Sequence, residues 1–93
     1  MKIKVEIKSL GSNTNPRQKA SADIILNDCF AIRRVKLIEN GGTIFAAMPS
    51  LKDSRGRWNK TCHPITPDFN DLLLAAYMEA YRDYLNARGL VEQ

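Results

Sequence analysis

An α+β domain, built as an antiparallel β-sheet of four to five strands with one C-terminal amphipathic helix, is predicted by three features of the sequence. Short apolar runs alternating with polar residues fill residues 3–48. Two turn signals, Asn27-Asp28 and Asn40-Gly41-Gly42, separate consecutive runs so that neighbouring strands pair as hairpins. From Thr66 onward the apolar spacing changes from two to three and four, the stripe of a helix. The chain has 93 residues, enough for one domain. A domain of this size buries only about two-thirds or less of the surface its unfolded chain exposes, so its core is thin.

Ile3, Val5 and Ile7 alternate with Lys2, Lys4, Glu6 and Lys8, which makes the first strand apolar on one face and charged on the other. Residues 11–18 collect Gly, Ser, Asn, Thr and Pro16, a mobile linker by its turn chemistry. In the second strand Ala20, Ala22, Ile24 and Leu26 share a face, with Ser21, Asp23 and Ile25 opposite. The third strand, residues 29–38, breaks this pattern. Phe30 and Ile32 have the parity of Arg34 and Lys36, whereas Val35 and Leu37 have that of Ala31 and Arg33. Either a bulge shifts the register near Arg33-Arg34, or Phe30 and Ile32 leave the core for a partner surface. The fourth strand, residues 43–48, ends at Pro49, which has no amide hydrogen for the ladder. The polar stretch 50–60 reads as a loop, followed by a short fifth strand within residues 58–63. Thr66 caps a helix whose first residue is Pro67, and Phe69, Leu72, Leu73, Ala76, Tyr77, Ala80, Tyr81 and Tyr84 form its apolar stripe. Asp68 and Asp71 suit its positive end, Arg82 and Arg88 its negative end, and Gly89 its stop.

Charge is unevenly placed. Residues 1–60 carry twelve Lys/Arg against five Asp/Glu, or +7, and residues 61–93 carry two against five, or −3, within a net charge of +4. The first 60 residues are therefore where a polyanion would dock. No run approaches the roughly 20 apolar residues that cross a bilayer, and residues 2–10 carry charges where a secretory signal would be apolar, so a cytoplasmic location and no membrane partner are expected. Cys29 and Cys62 with the lone His63 do not supply four zinc ligands, and neither metal nor cofactor is expected.

Catalysis has little material. Cys62 and His63 are adjacent, and neighbours on an extended segment point to opposite faces, which rarely makes a nucleophile and base pair. A local hydrogen bond from His63 that fixes the turn into Pro64 is the simpler expectation. Neither a phosphate-cradling Gly-Lys-Ser/Thr loop nor a dinucleotide glycine fingerprint is present. An enzyme with a small-molecule substrate is therefore not expected.

Nucleic-acid binding has more. Lys52, Arg55, Arg57, Trp58 and Lys60 cluster with a single acid, Asp53. Cations on a loop follow phosphates and release counterions, and an exposed indole stacks on a base or wedges between two. Large aromatics are mostly buried, however, so Trp58 is expected to fold back onto the sheet edge. Arg33, Arg34 and Lys36 form a second basic group, which either faces a nucleic acid or simply solvates the wet face of the sheet. Lys2, Lys4 and Lys8, offset by Glu6, form a weaker third group.

Across residues 19–85 the sequence resembles the SpoVG family of septation regulators. The resemblance is carried by Ala20-Ser21-Ala22-Asp23-Ile24, Phe30, Val35-Lys36-Leu37-Ile38, Phe45-Ala46-Ala47-Met48-Pro49-Ser50, Gly56 and His63-Pro64-Ile65. It implies a dimer with an antiparallel sheet and a C-terminal helix that binds DNA, and in some members RNA, to modulate gene expression and cell division. It also implies that Lys52, Arg55 and Arg57 lie in the region that contacts DNA. Leu51 stands where the family usually has a basic residue, and Asn59-Lys60-Thr61-Cys62 where it often has Arg-Asp before the His-Pro-Ile motif. Phosphate contacts survive such changes more readily than base contacts. The expectation is a homodimeric DNA- or RNA-binding regulator. The alternative is a dimeric protein-interaction module acting on division or regulatory proteins through its sheet edge or helix.

Overall fold

The computed structural model describes residues 1–11 and 15–89. Four strands, β1 (Ile3–Leu10), β2 (Gln18–Leu26), β3 (Phe30–Asn40) and β4 (Thr43–Ala47), form an antiparallel sheet in sequence order. A separate two-stranded hairpin, β5 (Ser50–Lys52) and β6 (Trp58–Lys60), precedes helix α1 (Pro67–Ala87). The predicted α+β class and its hairpin-by-hairpin topology are both observed. Residues 12–14 of the mobile linker expected at residues 11–18 lie outside the described residues. Its far end is a turn in which Gln18 N–H donates to the Asn15 carbonyl at 3.1 Å.

Both turn signals operate as their chemistry requires. Asn27 and Asp28 adopt φ of 51° and 57°, and the Cys29 N–H closes on the Leu26 carbonyl at 3.1 Å. The connection is three residues long, because Leu26 pairs with Phe30. Gly41 and Gly42, at φ of 62° and 87°, join Asn40 to its partner Thr43 in the two-residue form that needs left-handed backbone at both positions.

The parity break in β3 is a bulge. Ala22 pairs with Val35 and Ile24 with Ile32, so Arg33 and Arg34 together oppose Asp23. Arg34 takes φ of 60°, and its N–H donates to Asp23 Oδ1 at 3.3 Å while Arg33 Nε lies 3.8 Å from Asp23 Oδ2. The extra residue returns Val35 and Leu37 to the face shared by Ile32, Ala22 and Ile24. Phe30 also points to that face, but at the end of the sheet, where 63% of it stays exposed.

Helix α1 covers this face, packing against β1 and β4. Thr66 Oγ1 accepts the Phe69 N–H at 3.2 Å, and Gly89 at φ of 72° follows the last turn. Leu73, Tyr77, Tyr81 and Leu85, each four residues after the last, are the buried positions and meet Ala20, Ala22, Ile24, Val35, Leu37 and Met48. The stripe is narrower than the apolar spacing suggests. Leu72 stands about 100° around the helix from Leu73 and is left 62% exposed, because a single sheet face covers one side of a helix.

Tyr77 is fully buried, and its hydroxyl donates to the Val35 carbonyl at 2.8 Å, tying the middle of the helix to the strand just past the bulge. Burial pushes its phenol well above the ordinary value near 10. The unfolded chain therefore gives up this proton first as pH rises, so the stability contributed by neutral Tyr77 is complete below about pH 10 and lost above it. Tyr77→Phe should cost about 1–3 kcal/mol in urea unfolding at pH 8 by leaving a buried carbonyl without this donor. The gap between wild type and variant should narrow at pH 11. Arg34→Gly should leave stability unchanged or raise it by up to about 1 kcal/mol, since glycine takes positive φ without strain, and the same urea experiment checks it.

Candidate nucleic-acid interface

The face of the sheet away from α1 is uncovered, and alternation along the strands places Lys4, Glu6, Ser21, Asp23, Arg33, Lys36 and Phe45 on it. A second irregularity lies in β1, where Lys8 and Ser9 together oppose Ser21. The two bulges flank the same stretch of β2. Between them lies an open groove of about 500 Å³ lined by Lys8, Ser21, Asp23, Arg33 and Arg34. Lys8 belongs to the weaker third basic group of the sequence. The signal that places it here is the parity of Leu10, which is even where Ile3, Val5 and Ile7 are odd.

The stretch read from sequence as a loop is a closed hairpin. Ser50 pairs with Lys60, Leu51 with Asn59 and Lys52 with Trp58. Asp53 builds the turn: its Oδ1 accepts the N–H groups of Arg55 and Arg57 at 2.9 and 2.8 Å, and its Oδ2 accepts Asn59 Nδ2 at 3.0 Å. Its backbone N–H donates to the Arg57 carbonyl at 2.8 Å, and Gly56, at φ of 81°, returns a bond to the Asp53 carbonyl at 3.0 Å. The Arg57 N–H above all, with the Asn59 amide and the Arg55 N–H, holds the Asp53 carboxyl below its ordinary value. The predicted fifth strand shrinks to three residues and pairs with β5 alone. Two exposed three-residue strands have no buried face, so no apolar alternation marked them in the sequence.

Lys52 and Trp58 are cross-strand partners, and Lys60 and Ser50 lie two residues along on the same hairpin face. Arg55 and Arg57 occupy the turn. Trp58 is not folded away: 70% of it is exposed, because the hairpin diverges from the sheet and offers no buried face to receive the ring. It lines a second groove of about 350 Å³ together with Arg34, Lys36, Ile38, Ala47 and Ser50. Trp58 of the hairpin group is thus brought into one groove with Arg34 and Lys36 of the strand group, and Arg34 borders both grooves.

Ion pairing leaves most of these cations available. Asp23 lies beside Arg33, and Asp53 Oδ2 lies 3.9 Å from Arg57 Nε. Among the described residues, no carboxylate stands within 4.0 Å of Arg34, Lys36, Lys52, Arg55 or Lys60. Lys4 and Lys8 share Glu6 at 3.9 and 3.8 Å, exposed pairs of little energetic weight.

His63 Nδ1 lies 3.1 Å from the Pro64 carbonyl, the local bond expected at this turn, and His63 and Cys62 both line an apolar cleft with Ile32, Met48 and Leu73. Among the described residues no group of three or more His, Cys, Asp or Glu side chains is gathered to hold a metal ion. No helix among them is long and apolar enough to cross a membrane.

Comparison with known proteins agrees with the resemblance noted above. The SpoVG family model matches residues 1–83, extending through β1. A Treponema denticola protein named "Putative septation protein SpoVG" is 38% identical over 63 residues, covering 68% of each chain. Proteins of the same name from Phytoplasma australiense and Bdellovibrio bacteriovorus are 30% and 33% identical over 92% and 96% of this chain, covering 88% and 81% of theirs. With a family match running from the first strand nearly to the end of the helix, the chain belongs to the SpoVG family.

Proposed function

We propose that this protein is a homodimeric nucleic-acid-binding regulator, acting in gene expression or in the septation after which its relatives are named, and that it has no catalytic role. The observation that carries this reading is a groove in which Arg34 and Lys36 meet an exposed Trp58, whose hairpin face also carries Lys52 and Lys60, none of the four cations within 4.0 Å of a carboxylate among the described residues. Such a surface releases counterions when phosphates replace them. Arg55 and Arg57, at the end of the hairpin, extend its reach along a backbone. Arg33 contributes less, because Asp23 partly neutralises it.

Self-association is supported by apolar surface that the chain leaves uncovered. Phe30, Ile65 and Leu72 are 63%, 87% and 62% exposed, and each is a large side chain that a second copy would shield. β1 and β4 also have unpaired outer edges in the chain, the usual places for a further strand to add.

Two measurements test these proposals. Affinity for a DNA or RNA fragment should fall steeply with salt. Arg55→Ala with Arg57→Ala, or Arg34→Gly with Lys36→Ala, should each weaken binding and reduce the slope by about 0.9 per lost B-DNA phosphate contact, with the urea midpoint retained. An unchanged slope in both folded double mutants would remove this surface from the interface, and a parent protein that binds no DNA or RNA at low salt would favour the protein-interaction reading. Sedimentation at micromolar concentration should show a dimer, and Phe30→Ser should shift it toward monomer. A folded monomer in the parent would overturn the dimer.

A further inference from the structure

The uncovered face carries two unlike grooves side by side. One is polar, between the two bulges, with Lys8, Arg33 and Arg34 around it beside Ser21 and Asp23, whose carboxylate faces the Arg34 N–H and Arg33 and is outnumbered by the three cations. The other has a partly apolar floor, Ile38, Ala47 and Met48, and the Trp58 ring on its wall. Arg34 belongs to both, so the polar groove and the apolar one are immediate neighbours. Resting on the nucleic-acid reading, we infer that this face receives a single strand, with one unpaired base in the groove beside Trp58 and an adjoining phosphate at Lys8 and Arg34.

The chemistry of the two surfaces separates a single strand from a duplex. A duplex presents phosphates and the edges of its bases, while the faces of the bases are hidden in the stack. Phosphates would satisfy Lys8, Arg34 and Lys36 in either case. Only an unpaired base offers a flat apolar face to the Trp58 indole and to the floor formed by Ile38 and Ala47. Trp58 sits on the hairpin face that also carries Lys52 and Lys60, so a base stacked there has cations on either side for its neighbouring phosphates. The stiffness of the hairpin matters as well. The carboxylate of Asp53 fixes its turn, so the backbone that carries Trp58 is ordered before any ligand arrives.

Trp58 is the sole tryptophan of the chain, which makes the site directly observable. The full chain is titrated with an unstructured DNA oligonucleotide, the RNA of the same sequence and the DNA annealed to its complement, at equal salt, following both intrinsic fluorescence and the anisotropy of a labelled strand. Either single strand should quench Trp58 and bind more tightly than the duplex. Trp58→Ala should weaken single-strand binding by about five- to a hundredfold, the range expected for loss of one stacked base. Trp58→Phe should recover most of the loss, and Trp58→Ala should weaken duplex binding by a much smaller factor than single-strand binding; the exposed position keeps both folded, which the urea midpoint checks. Equal or tighter binding of the duplex, or single-strand binding indifferent to Trp58→Ala, overturns the base site while leaving the nucleic-acid function standing. A loss of duplex binding in Trp58→Ala as large as that of single-strand binding also overturns it, and identifies the ring as a wedge between stacked pairs. Failure to bind any of the three overturns both readings.

Discussion

The pairing of two residues, Arg33 and Arg34, against Asp23 sets the register on which the core and the uncovered face both depend. Without the extra residue, a strand that buries Ile32 would turn Val35 and Leu37 outward and direct Lys36 at the helix. With it, Ile32, Val35 and Leu37 meet α1, and Lys36 stays in water beside Arg34. Tyr77 then locks the arrangement, since its hydroxyl reaches the Val35 carbonyl only when the strand beyond the bulge runs at this height. The positive φ of Arg34 is a local cost that the surrounding pairing holds in place.

Two aspartates in the basic part of the chain do unusual work for acids in such company. Asp23 accepts the Arg34 N–H, and Asp53 accepts those of Arg55 and Arg57. Each carboxylate shapes the backbone that displays neighbouring cations. Their ion pairs, at 3.8 and 3.9 Å to Arg33 and Arg57, are long and solvent-exposed on the arginine side. Both carboxylates keep their charge, and this surface stays net positive because Arg33, Arg34, Lys36, Lys52, Arg55, Arg57 and Lys60 outnumber them.

Architecture and function meet in the hairpin. Pro49 ends β4, and the chain turns away from the sheet to make β5 and β6 on their own. Bonds from the Thr61 N–H and hydroxyl to the Pro49 carbonyl, at 2.9 and 3.0 Å, close its base. An arm closed at both ends presents Lys52, Trp58 and Lys60 from one face without the ordering entropy a loose loop would lose on binding.

Sequence alone determined the sheet, its hairpin connections and the helix, because alternation, left-handed turn residues and capping are local effects written in neighbouring side chains. Thr66, Pro67 and Gly89 bounded the helix, and Asn27-Asp28 and Gly41-Gly42 set the turns. The family was legible from the Met48-Pro49-Ser50 and His63-Pro64-Ile65 segments with their spacing. The parity change at Arg33-Arg34 announced a register problem, but both a bulge and a partner surface satisfy parity, and only pairing across to Asp23 selects the bulge. The tertiary structure alone decided that Trp58 is exposed, that residues 50–60 form a hairpin, and that Arg34 and Trp58 share a groove. Each depends on contacts between segments distant in sequence, or on a short exposed pairing with no apolar face to betray it, and neither leaves a periodic signal along the chain.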